Sequence, residues 1–378
     1  MATLTDCDTV TQSRRKGRTS TPSASPQVGF SKAGMGFAID PRMEHAWKHR
    51  TPPQTVLVDT PARLHLGFLD VSGSLGRRFG SLGLSIEGVR TRLRVRRAQQ
   101  VKATGPAAER AEGFARKMLD SLNLPGGVEM AIDSAIPDHM GLGSGTQMAL
   151  AVGHAVSALH GLALSTREIA SRMQRGKRSG IGIGAFDRGG FLVDSGIGED
   201  GVVPPVTARL PFPDDWRVLL IMDVRAQGLH GNHELEAFRL LGEFPREMAA
   251  HLCHLTLMQI LPGVQERRFD AVAEGIAELQ RLVGDHFAPA QGGRFTSREV
   301  AEALAWAEQA GHRGIGQSSW GPTGFVLLPD AETALRTLVE ARRRFGELSP
   351  LRFSVTQACN CNSRVAAYTA FDDCKEMP

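Results

Sequence analysis

Beyond residue 54, apolar and polar positions begin to alternate. In TVLVDTPARLHLGFLDVSG, Val56 and Val58 and then Leu64, Leu66 and Phe68 recur at every second place, the period of a strand with one buried face. LGLSIEG predicts a second strand. TRLRVRRA predicts a third, its arginines alternating with Leu and Val and so leaving one face to solvent. Residues 107–122 read as a helix, and after the turn Pro125-Gly126-Gly127 the segment VEMAID alternates again. Residues 162–175 read as helical, SGIGIGAFDRGGFLVDSG as a glycine-rich stretch returning to a strand at 190–194, and RVLLIMDV as a strand buried on both faces.

Over residues 234–282 the spacing changes to three and four and predicts three helices, HELEAFRLLGEF, REMAAHLCHLTLMQILPGV and FDAVAEGIAELQRLVGDHF. SREVAEALAWAEQAG is a further helix. GIGQSSWGPTGFVLLPD is a glycine-rich loop entering a strand, and AETALRTLVEARRRF closes as a helix. Strands first, helices in the middle and hairpin-like returns predict an α+β fold rather than a doubly wound sheet. A boundary is expected within 204–215, giving a tail at 1–54, a first domain at 55–205 and a second at 206–378. The tail, with TQSRRKGRTSTPSASPQ, is polar and lacks periodicity, and disorder is expected there. Its Arg14-Arg15 pair is followed by no apolar segment of an export signal.

Composition narrows the classes. The chain has 378 residues, of which 42% are apolar, and 44 basic against 40 acidic side chains leave +4. This mild excess suits anionic small molecules and falls short of the clustered basic face that nucleic acid requires. No apolar run approaches the about 18 residues of a membrane span. Cys7, Cys253, Cys359, Cys361 and Cys374 are odd in number and scattered, which suits reduced thiols and a cytoplasmic location. Cys359 and Cys361 have no second pair at zinc-finger spacing. His230, His233, Glu234 and Glu236 cluster at an expected helix start, where capping and solvation explain them.

The chemistry concentrates in IPDHMGLGSGTQMALAVGHAV. A strand, a loop and a helix in succession bring free backbone N–H groups and the positive end of a helix to one point, a cradle for phosphate. Gly141, Gly143 and Gly145 permit close approach, Ser144 and Thr146 add hydroxyls, and Gln147 adds an amide. The stretch lacks the Lys-Ser/Thr of a P-loop and misplaces the third glycine of a dinucleotide fingerprint. A capped tight turn is the alternative reading. VLLIMDVRAQG begins like the donor motif of ordinary phosphoribosyltransferases but has one acid and no Thr.

Pro137-Asp-His-Met-Gly141-Leu-Gly143-Ser144-Gly145 resembles the second motif of the GHMP kinases, Pro-x-x-x-Gly-Leu-Gly-Ser-Ser, with glycine in place of the second serine. TPARLHLGFLD resembles their first motif and GIGQSSWGPTGF their third. The blocks RLHLGFLD, GLGSGTQMALA, RSGIGIGAFDRGGFLVDSG and GQSSWGPTGF together look like the β-ribofuranosylaminobenzene 5′-phosphate synthase family, a branch of that superfamily, over residues 56–367.

The resemblance implies a GHMP-type two-domain fold and a reaction joining phosphoribosyl diphosphate to 4-aminobenzoate or 4-hydroxybenzoate. Carbon dioxide and pyrophosphate leave, in tetrahydromethanopterin biosynthesis, with Mg²⁺ on the diphosphate, no ATP consumed and a homodimer expected. Gly141, Leu142, Gly143, Ser144, Gly145, Thr146 and Gln147, with Lys177, Arg178 and Arg188, are then expected to hold phosphate. Asp187 matches the position of the kinases' catalytic aspartate and is read as facing the ribosyl centre or, alternatively, as capping a turn. Arg63 and His65 share one strand face and are read as contacts to phosphate or carboxylate, with a structural role for His65 equally open. Gln317, Ser318, Ser319, Trp320 and Gly321 are expected at the substrates, Trp320 either stacking on the acceptor ring or anchoring the loop. A small-molecule kinase and a non-catalytic sensor are the alternatives. Gly145 and Trp320 argue against the first.

Overall fold

The structure, a computed structural model, describes residues 53–226, 228, 241–346 and 350–369. The expected tail lies almost wholly outside the described residues, as do most of the helix HELEAFRLLGEF, the cluster His230, His233, Glu234 and Glu236, and Cys7 and Cys374.

The first sheet is built on two long antiparallel strands, β1 (Thr55–Asp70) and β2 (Gly80–Ala98). LGLSIEG and TRLRVRRA are thus one strand rather than two. Gly88, at φ 78, separates the halves, and near it the register against β1 shifts between Pro61 and Ala62. The alternation in the second half is realised: Leu93 and Val95 are buried while Arg92, Arg94 and Arg96 are exposed. Next come β3 (Lys102–Thr104), α1 (Ala108–Ser121) and β4 (Gly127–Ser134), with β4 antiparallel to β2 and parallel to β3.

Helix α2 (Ser144–Leu159) is buried along almost its whole length, packing with α1 on the sheet through Met148, Leu150, Val152 and Val156 against Val56, Leu93 and Met118. A short α3 (Thr166–Arg172) begins with a capping box, in which Ser165 accepts from the backbone of Glu168 and the Glu168 carboxylate answers it. The glycine-rich stretch that follows is a helix, α4 (Ile181–Asp187). Its glycines are packing surfaces: a Cβ on Gly182 would meet Thr146 Cγ2 at 2.9 Å, and one on Gly184 would meet Val206 Cγ2 at 2.6 Å. Strand β5 (Phe191–Asp194) pairs with β2, and β6 (Val206–Leu210) pairs with β5.

A second, wholly antiparallel sheet runs β10 (Leu351–Thr356), β7 (Arg217–Asp223), β9 (Thr323–Leu328), β8 (Ile315–Gln317). Helices α8 (Arg298–Gln309) and α9 (Ala331–Phe345) bury Val300, Leu304, Ala334 and Ala341 on Leu219, Ile221 and Val326. The intervening helical layer is α5 (Arg246–Leu255), a π-helical turn at Thr256–Ile260, α6 (Leu261–Gln265) and α7 (Phe269–Gln291). Beyond the expected division at 205/206, β6 and the last strand, β11 (Arg364–Tyr368), still add to the first sheet, β11 beside β1. One core joins the two sheets through Leu64, Leu66 and Phe68 of β1, Ile276 and Phe287 of α7, and Leu220 and Phe325. Among the described residues no helix is long and apolar enough to cross a membrane.

Candidate active site

Strand β1, the glycine loop and the β8–β9 loop are fastened at one point. His139, Gly141 and Gly143 all have positive φ, and Gly143 caps α2 from the left-handed region at φ 86. A Cβ on Gly141 would lie 2.1 Å from the carbonyl oxygen of Ser318 and 3.0 Å from Gly321 Cα, so the two loops touch backbone to backbone. Arg63 donates from Nη1 to the Gly141 carbonyl at 2.6 Å, and its backbone N–H donates to Leu142 at 3.1 Å. The Ser318 hydroxyl donates to Gly141 and accepts from the backbone N–H of His65, while the N–H of Ser319 donates to the His65 carbonyl.

A cleft of about 280 Å³ opens at this junction, lined by the Arg63, Arg175, Lys177 and Arg178 side chains together with His139, Thr146, Ser179 and Gly321. No carboxylate lines it among the described residues. Arg110 stands beside it, paired with Asp138 and 3.4 Å from the Ser144 hydroxyl. The crowding has an electrostatic signature: burial first, and then the charge of Arg110, hold the Arg175 guanidinium below its ordinary affinity for protons. Arg175 Nε is also buried without a partner among the described residues. With the positive end of α2 at the same place, the cleft is arranged to receive a multiply charged anion.

Below the cleft floor, Asp194 fixes the turn that carries Ser179. It accepts from Ser81 at 2.5 Å, from Ser179 at 3.0 Å, and from the N–H groups of Gly180 and Gly196. Burial pushes its carboxyl up to about 6 against the pull of those donors.

His65 is buried at 4% exposure, its ring tilted against Phe68 at 4.6 Å. Burial, then the charges of Arg63 and Arg178, push its pKa down to about 3, so the imidazole is neutral. It lines the cleft and also, with Phe68, Ser319 and Trp320, a smaller neighbouring pocket.

The site therefore gathers Arg63, His65, Gly141, Thr146, Lys177, Arg178, Ser319, Trp320 and Gly321. Gly143, Ser144 and Gly145 form the adjoining turn and first residues of α2. Other candidates belong elsewhere. Asp187 ends α4, whose other end meets the cleft, and seven residues at about 1.5 Å each carry it roughly 10 Å away. There it accepts from the Thr166 hydroxyl, which also bonds His154. Arg188, the exposed residue after it, does not line the cleft either.

Gln147 is fully buried, accepting from Thr60 at 2.5 Å and donating to Gly182 at 2.7 Å, and so locks α2 to α4 and β1. Leu142 is core, and Gln317 and Ser318 are buried bracing residues. Trp320 packs on Phe287 at 4.6 Å between centroids and lines both cavities. Arg175, His139 and Phe68 were missed. The run QRGKRSG held the signal for Arg175, since three cations in four residues before a glycine block concentrate positive charge at one turn.

Family models for the GHMP kinases match twice, the N-terminal domain at residues 109–190 and the C-terminal domain at 260–347. A β-ribofuranosylphenol 5′-phosphate synthase of Archaeoglobus fulgidus is 38% identical over 238 residues, covering 59% of this chain and 74% of that protein. The enzyme of the same name from Methanocaldococcus jannaschii is 33% identical, covering 60% and 77%. Among solved structures, a homoserine kinase from Cytophaga hutchinsonii superposes with a TM-score of 0.55 at 16% identity, covering 84% of this chain and 99% of that one. The mevalonate diphosphate decarboxylase of Staphylococcus aureus gives 0.59 at 14%, covering 83% and 98%. At such identities these two report the fold alone.

Proposed function

The chain belongs to the β-ribofuranosylphenol 5′-phosphate synthase family, on a GHMP kinase fold, and we propose that it joins phosphoribosyl diphosphate to 4-hydroxybenzoate or 4-aminobenzoate with loss of pyrophosphate and carbon dioxide. The observation that carries this reading is the cleft with Arg63, Arg175, Lys177 and Arg178 at the mouth of the glycine loop and no carboxylate among its described lining. Departure of pyrophosphate develops charge on the leaving oxygen, and fixed cations and backbone N–H groups in the cleft stabilise that charge without reorganising. Ring carbon 1 of the acid forms the bond to the anomeric carbon while the bond to the diphosphate oxygen breaks. The carboxylate carbon then leaves as carbon dioxide, and its bonding pair restores the aromatic ring.

Among the described residues no cluster of three or more His, Cys, Asp or Glu side chains is placed to hold a metal. The described lining of the cleft offers no carboxylate to hold Mg²⁺, and the ion is proposed to arrive on the diphosphate. No step is assigned to it. The place of Asp187 also bears on the kinase alternative, because the residue matching the kinases' base is at the wrong end of α4 to deprotonate an alcohol in the cleft. A homodimer, a cytoplasmic location and a place in tetrahydromethanopterin biosynthesis belong to the same proposal, supported by the family alone.

The test is incubation with phosphoribosyl diphosphate, Mg²⁺ and each carboxyl-labelled acid, without ATP. Labelled carbon dioxide and pyrophosphate are expected in equal amounts. No release with either acid, together with ADP formation from ATP and a small alcohol, would replace this reading with the kinase.

A further inference from the structure

The cleft shares His65, Phe68, Ser319 and Trp320 with a pocket that runs on between β1, α7 and the β8–β9 loop, reaching Gly67, Val283, Phe287 and Gln317. That pocket holds about 40 Å³. One water needs roughly 10–15 Å³ on this scale, and an engineered cavity that binds benzene is about 150 Å³. The pocket therefore admits a small substituent and not a ring.

Its walls are also fixed. Phe287 packs on Trp320 at 4.6 Å and on Phe68 at 6.1 Å. Gln280 donates to Leu66 at 2.6 Å and accepts from the N–H of Gln317 at 2.8 Å, and the Gln317 amide donates to Ser319 at 2.9 Å. Rearranging the walls would break these buried bonds. At the mouth, His65 Nε2 is buried with no partner among the described residues. Burial and the charges of Arg63 and Arg178 keep the ring neutral, which leaves one of its nitrogens an acceptor, and the residue lines both cavities.

We propose that this pocket reads the 4-substituent of the aromatic acid: the ring lies at the shared mouth beside Phe68, the amino or hydroxyl group enters the pocket, and the neutral His65 ring accepts its hydrogen. The inference rests on the synthase reading. The two ends of a 4-substituted benzoate are opposite, so seating the substituent here turns carbon 1 and its carboxylate toward the cationic cleft, where the anomeric carbon is expected. The chemistry favours a neutral acceptor at His65. As carbon 1 attacks, the nitrogen or oxygen lone pair enters the ring and its N–H or O–H becomes more acidic, so a hydrogen bond to the His65 ring strengthens in the transition state. Loss of carbon dioxide returns the pair, and no net proton is exchanged.

The experiment compares 4-aminobenzoate, 4-(methylamino)benzoate and 4-(dimethylamino)benzoate in the wild type and in Val283→Ala, with pyrophosphate release as the readout. The dimethylamino group donates electrons more strongly, yet it is bulky and has no N–H. Wild-type kcat/KM is expected to fall at least 10-fold for it. Val283→Ala is expected to raise the methylamino-to-amino ratio at least 5-fold while leaving the KM for phosphoribosyl diphosphate within twofold. Equal turnover of the dimethylamino acid by the wild type would overturn the proposal, as would an unchanged ratio in a folded Val283→Ala. If Val283→Ala does not fold, the wild-type series decides alone. Absence of turnover with every acid, 4-hydroxybenzoate included, would instead overturn the synthase reading.

Discussion

The Ser318 hydroxyl donates to the carbonyl of Gly141 at 2.8 Å, joining residues 177 positions apart. The same oxygen accepts from the N–H of His65 at 3.0 Å. One buried hydroxyl thus sets the distance between the glycine loop, β1 and the β8–β9 loop.

Ser318→Ala removes both bonds and leaves the buried N–H of His65 unsatisfied. A loss of about 1–3 kcal/mol in urea unfolding is expected, with a lower kcat because His65 and Gly141 are no longer held in register. A variant as stable as wild type would mean that the hydroxyl is dispensable.

Gln147→Leu separates the two readings of the glycine motif. The amide bridges Thr60 and Gly182 deep in the core, so about 1–3 kcal/mol of stability should be lost while the KM for phosphoribosyl diphosphate stays within about twofold. A rise in that KM without any loss of stability would return Gln147 to the phosphate site.

Arg175→Met should do the reverse. Its guanidinium is crowded by Arg110 and partly buried, so unfolding stability is expected to hold or rise. Losing one charge-assisted contact of about 1.5–3 kcal/mol corresponds to roughly a 10- to 150-fold rise in donor KM. An unchanged KM in initial-rate measurements would exclude the residue from the donor site.

His154 supplies a pH prediction. Its ring stacks on Phe186 at 4.7 Å and bonds the Thr166 hydroxyl at 2.9 Å, and burial pushes its pKa down to about 4 from 6.5. Between those values the unfolded chain binds a proton that the fold refuses, so stability falls as pH drops below 6.5 and levels off below about 4. His154→Phe should remove on the order of 1–2 kcal/mol of the stability lost between pH 7 and pH 5. Denaturant midpoints at the two pH values check this, and an undiminished difference would show that His154 contributes nothing to the acid lability.

Much of the local order was legible in the chain. The Arg and Leu/Val alternation of TRLRVRRA became the half-exposed end of β2, and the three-four spacing of FDAVAEGIAELQRLVGDHF became α7, because period follows from local backbone geometry. The glycine-rich stretch misled for the opposite reason. Gly182 and Gly184 permit Thr146 and Val206 to press against α4, and nothing local distinguishes such a glycine from one in a loop. Likewise, Gln147 and Thr146 are adjacent in a motif, yet one is buried against Thr60 and the other lines the cleft.

The sequence by itself determined most of the elements, the glycine loop that opens α2 and the family, because spacing and residue type set periodicity, free N–H groups and charge within a few residues. Only the tertiary structure decided that Asp187 lies at the far end of a helix, that Arg175 joins Arg63 across more than a hundred residues, and that His65 is held neutral between two cavities. Those outcomes depend on which faces pack, and burial and distance exist only once the chain has closed on itself.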